Sequence, residues 1–186
     1  MSDDALAEVY AYVERAYVRL QAADVLTHCL ENGDSEPVQN LVEELVLVGT
    51  QSLSALREIL AEVTSRKKQL RDDQNQIFTK LDDALKEYGA RLLGSYTPLS
   101  VSHLTPVGFL ALLRQQGVDD DKDQMICLQF FQDTTEFMRG IEGHLRLLDE
   151  IETYLEDWLW GLIYQSTHEG WAEETPPQKQ QKRWLL

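Results

Sequence analysis

From Asp119 to Gln165 the chain contains no proline, and its apolar residues return at spacings of three, four and seven: Phe130, Phe137, Ile141, Leu148, Ile151, Leu155, Trp158 and Leu162. A stripe with that spacing lies along one side of an α-helix and has to be covered by other helices. No strand-like alternation occurs in the chain to offer a sheet as the covering layer. The pattern predicts an all-α protein: an elongated helical bundle or antiparallel coiled coil of about four helices, two of them long.

The rest of the chain can be divided around that helix. Residues 3–31 predict a first helix, with Leu6, Val9, Val13, Ala16, Leu20, Ala23 and Leu30 as its seam and Tyr10 and Tyr17 widening it. Asn32-Gly33 ends that helix, and Ser35 with Pro37 opens the next. Residues 36–93 read as one long helix, kinked near Gly49, because Val42, Leu56, Val63, Leu70, Ile77 and Ala84 repeat at multiples of seven. Between Thr64 and Gln76 only Leu70 is apolar, so residues 64–76 are expected to project as a polar helical arm. Gly94 is the expected stop. Thr105-Pro106 caps a short helix over 106–116, Gly117 ends it, and the organising helix spans 119–166. Residues 1–170 thus form a single helical domain, and 171–186, rich in proline and lysine, a flexible tail.

Charge narrows the range of partners. The net charge is −15, and only the tail carries more basic than acidic side chains. Such a balance opposes binding to nucleic acid or to anionic membrane. Cys29 and Cys127 fit neither a metal nor a redox spacing and read as buried thiols in a reducing compartment. The chain opens on Asp3 and Asp4 without an apolar leader, and its longest near-apolar run, Trp158 to Tyr164, is too short to span a bilayer. A cytoplasmic setting is the expectation.

Several arrangements could carry chemistry, and each has a plainer reading. Asp119, Asp120 and Asp123 match a magnesium-holding DDxxD spacing, but carboxylates at a helix start are favoured by the helix dipole alone. No histidine follows a glutamate by three, so the helical di-iron pattern is missing. His144 sits between Ile141 and Leu148 and is expected to face the core. The pairs Asp133 with Glu136 and Asp149 with Glu152 are sixteen residues apart, which turns one about 160° from the other. Both are expected to be solvated. Phosphate-binding loops, nucleophile elbows and zinc-protease motifs do not occur. No catalytic residue, cofactor or metal ligand is assigned, and the balance weighs against an enzyme.

What remains points to surfaces. Arg66, Lys67, Lys68 and Arg71 form one basic cluster in an acidic chain. Trp160, two residues past Trp158, points away from the seam. The tail joins Lys182 and Arg183 to Trp184, Leu185 and Leu186, a basic tether ending in an apolar peg. The expected function is non-catalytic: an adaptor, assembly factor or regulator that binds protein partners, with a homodimer among them. One alternative is a small helical enzyme or ligand-binding bundle with a polar site around His144. The other is a peripheral membrane protein that touches lipid through its tail.

Overall fold

The computed structural model describes residues 3–48 and 52–168. Among these it is all-α, with six helices: α1 (Asp3–Asn32), α2 (Glu36–Val48), α3 (Ser52–Lys86), α4 (Pro98–Ser102), α5 (Pro106–Gln115) and α6 (Asp121–His168). The only bridge outside helices joins Leu93 to Tyr96 among the described residues. No described helix is long and apolar enough to cross a membrane.

The helix directions follow from a few long-range contacts. Arg19 pairs with Glu58, and Arg66 donates to Thr27, so α1 and α3 run parallel with a constant offset. The shorter α2, which connects them, runs back between. Lys67 on α3 meets Asp149 and Glu152 on α6, while the last turns of α3 share a core with the first turns of α6, so that pair is antiparallel.

Two separate cores lie along the α3–α6 pair. Val18, Leu26 and Cys29 of α1 meet Val42 of α2, Ile59 of α3 and Leu155 of α6 in the first. The second joins Phe78 and Leu85 of α3 to Phe109 and Leu113 of α5 and to Cys127 and Phe131 of α6. There the rings of Phe109 and Phe131 stack with centroids 4.1 Å apart. Between the cores the two long helices touch through polar side chains.

Four expectations change. The long helix over 36–93 is two helices, α2 and α3, and position 49 itself lies outside the described residues. The second of them stops at Lys86 rather than Leu93, because Gly89 takes a φ of 84°, open to glycine at no steric cost, and Ala90 N–H closes on Leu85 O at 3.0 Å. Residues 64–76 are continuous helix but no free arm: Lys67 is buried against α6. The polar stretch packs there by charge pairing rather than by apolar burial.

The fourth correction concerns phase. On α6 the buried side chains of the first half are Gln124, Cys127, Phe131, Thr135, Met138 and Glu142, whereas Phe130 and Phe137 are 41% and 70% exposed. The seam is shifted by one residue because polar side chains occupy three of its places. On α1 the buried residues are Val18, Ala22, Leu26 and Cys29, and the expected seam residues Val9, Val13 and Leu20 are exposed. At 100° per residue those two stripes are centred about 160° apart.

Candidate functional site

Two places on α6 could meet a partner, and both lie where its two halves join. The first is a hollow on the outer side of the helix. Glu136, Phe137, Gly140, Ile141 and His144 line a depression of about 420 Å³. Gly140 lines it: a Cβ there would meet nothing within 4 Å, so among the described residues no neighbour requires a glycine, as is also true at Gly143. An exposed helical glycine costs about 1 kcal/mol relative to alanine. Among the described residues the helix gains no packing in return. Phe137 stands beside the hollow, with Phe130 and Met125 exposed further back toward the helix start. His144, expected in the core, is a half-buried wall of this open hollow.

The second place is a polar cleft of about 410 Å³ between α3, the start of α4 and α6, with Arg71, Gln74, Asn75, Glu142 and Arg146 among its walls. Glu142 is the buried acid of the cleft. Its carboxylate takes a hydrogen bond from the Ser102 hydroxyl, lies 3.6 Å from His103 Nε2 and 3.9 Å from Arg146. Arg139 Nε donates to Ser102 O at 2.9 Å. A serine, a histidine and a carboxylate thus gather at one point, but in the wrong order for a nucleophile. Activation needs the histidine next to the hydroxyl and the carboxylate behind it; here the carboxylate is central. Ser102 is also fully buried, so its oxygen could not reach a substrate. The group fastens α4 to α6.

The basic cluster divides. Lys67 is buried, 2.5 Å from Asp149 and paired also with Glu152. Burial alone would lower the Lys67 pKa, but hydrogen bonds to Asp149 and Glu152 outweigh it and raise it. Asp149, still exposed, and the half-buried Glu152 are therefore partners of α3 as well as solvated side chains. Arg66 turns to Thr27 on α1 at 3.1 Å. Lys68 and Arg71 are exposed, and Arg71 lines the cleft. Trp160 stands 70% exposed on α6. Lys182, Arg183, Trp184, Leu185 and Leu186 lie outside the described residues.

The acidic start of α6 acts as a cap. Asp120 Oδ1 accepts from Lys122 N–H at 2.9 Å and Asp123 N–H at 3.1 Å, filling donors that a helix start leaves open. Among the described residues no group of three or more histidine, cysteine or acidic side chains is placed to hold a metal ion.

Sequence reasoning missed Asp82, which shapes the second core. This fully buried aspartate accepts from Leu92 N–H at 2.5 Å and Leu93 N–H at 2.8 Å and pairs with Lys86 at 3.0 Å. Burial pushes its pKa up, but the two backbone donors and the ammonium prevail and hold it below the usual aspartate value. Gln116 performs a similar task, bonding Arg91 through both ends of its amide. Asp82 lies seven residues before the Gly89 stop, and no local spacing in the sequence marks it as buried.

The class that fold and site define is an all-α protein with two cores, a polar waist and exposed apolar faces. No family model matches the sequence, and comparison with curated proteins and with solved structures finds no match.

Proposed function

We propose that this chain is a protein–protein interaction module of the adaptor, assembly-factor or regulator kind, and that a partner docks an apolar side chain into the hollow beside Phe137. The observation that carries this is Gly140. A glycine that weakens a helix and meets nothing among the described residues makes physical sense if it leaves room for something outside it. Phe137 supplies the exposed aromatic area typical of an interface anchor. Trp160, Lys68, Arg71 and the tail residues Lys182 to Leu186 belong to the same proposal as further contact points. So does the elongated coiled-coil character of the long helices. A cytoplasmic setting fits Cys29 and Cys127, which are free thiols buried in different cores.

The test is affinity capture with mass spectrometry, comparing the intact chain with Phe137→Asp and with Gly140→Ala. The expected result is one set of proteins lost with both variants while the melting curve of Gly140→Ala rises. Capture of the same proteins at the same yield by all three chains would overturn the reading.

A further inference from the structure

The second apolar face, on α1, carries more information than the hollow, because its spacing specifies its own partner. Leu6, Val9, Val13, Ala16, Leu20 and Ala23 alternate by three and four without interruption. That is the a/d rhythm of a coiled coil. The opposite side of the same helix already packs into the first core through Val18, Ala22, Leu26 and Cys29. The rhythmic side is left open: Val13 is 57% exposed, Leu20 67%, and Tyr10, Tyr12 and Tyr17 all more than 60%. An α-helix with one stripe packed and a second, strictly heptad stripe uncovered is half of a coiled coil.

We infer that the occupant is a second copy of this chain, its α1 lying antiparallel on the first across a two-fold axis near residues 14 and 15. The order of side chains favours that direction. Set antiparallel about this axis, the seam layers become Leu6 on Ala23, Val9 on Leu20 and Val13 on Ala16. Two of these layers combine a large residue with alanine and the third joins valine to leucine, so no layer is left alanine on alanine. A parallel pair would instead stack Leu6 on Leu6 and Ala16 on Ala16, leaving bulges and gaps. In the antiparallel pair the flanking positions bring Tyr10 to Tyr17, an aromatic contact.

The size is adequate. Three tyrosines and four aliphatic side chains open to solvent, with aromatics burying about 150–250 Å² each when covered, approach the roughly 800 Å² per partner of an ordinary stable interface. The acidic N-terminal turns, with Asp3, Asp4 and Glu8, make an anionic lipid surface a poor cover for the same face. This inference rests on the interaction-module reading but uses a different helix and a different partner.

Sedimentation of the full chain at about 10 µM should show a dimer. Val13→Glu should weaken self-association about 100-fold or more, since a two-fold axis buries the carboxylate twice. Its circular dichroism and melting should match the parent, because Val13 touches no core in the single chain; Leu20→Glu is the second variant, with the same expected result. Direction is read by oxidising mixed Leu6→Cys and Ala23→Cys chains, which should yield the mixed disulfide. A monomer at ten times that concentration, or Val13→Glu and Leu20→Glu chains that stay dimeric, would overturn the pairing; a Leu6→Cys chain that links to itself would overturn the antiparallel order. A monomer that still loses a captured protein through Phe137→Asp would end this inference and leave the interaction reading intact.

Discussion

The two cores along α3 and α6 are built in different ways. The first is assembled by helices alone: four of them present aliphatic side chains and one cysteine, and among the described residues only Ser52 and Lys67 are buried polar residues along that part. The second uses two long helices, two short ones and an irregular connection, and needs polar fasteners. Asp82 ties Leu92 and Leu93 to α3, Gln116 holds Arg91, and Gln124 Nε2 reaches Val118 O at 2.8 Å. A helix closes its own backbone hydrogen bonds, so helices can pack through side chains only; a buried connection has to borrow acceptors and donors from elsewhere. Each borrowed group is a place where one substitution can release the chain.

That contrast can be broken by the largest perturbation. Phe131→Ala removes half of the stacked pair in the second core and should cost about 3–5 kcal/mol. Leu155→Ala in the first core should cost about 2–5 kcal/mol. If the cores differ in cooperativity as well as in construction, native-state hydrogen exchange will show Phe131→Ala loosening α5 and the start of α6 while α1 and α2 keep their protection. Equal loss of protection at both ends would mean that the waist fuses them into one unit.

A middle-sized effect sharpens the role of the fasteners. Asp82→Asn should cost about 1.5–3 kcal/mol at neutral pH, the worth of charged hydrogen bonds lost in a buried place. Because the folded-state pKa lies below the unfolded one, the stabilisation is full above the unfolded value of about 3.9 and disappears as pH falls through the folded value. The gap between parent and variant, followed by denaturant titration from neutral to acid, should therefore narrow only below about pH 4. A gap that stays constant through that range would show that the carboxylate charge is not what holds Leu92 and Leu93.

The smallest effect concerns Trp160, at the first-core end of α6. Trp160→Ala should change stability by no more than about 0.5 kcal/mol, as for an exposed side chain without fasteners. A melting curve lowered as far as that of Leu155→Ala would place the indole in the core.

Signals that act within a turn or two were legible in the sequence. Thr105 caps α5 through Gly108 N–H at 3.1 Å, with Pro106 following, as its residues predict. Gly117 follows α5 with a φ of 89°, and Asp120 fills the start of α6. Rotational phase was not legible. On α1 both stripes are apolar with helical spacing, and only the neighbours decide which one is buried. On α6, Gln124, Thr135 and Glu142 hide the buried stripe, since an apolar count skips them and settles on Phe130 and Phe137. Glu142 is accommodated by Ser102, forty residues earlier in the chain, so no local window could have placed it.

The length of α6 has a consequence of its own. Its 48 residues span about 72 Å at 1.5 Å each, with both cores threaded on it and no joint between. One residue inserted between Gly140 and Leu148 would advance everything beyond it by about 100° and 1.5 Å. The hollow at Phe137 and the α1 face carried by the other core would then look in new directions. The waist acts as a keyway, and the number of residues in it fixes the compass bearing between the Phe137 hollow and the exposed α1 stripe.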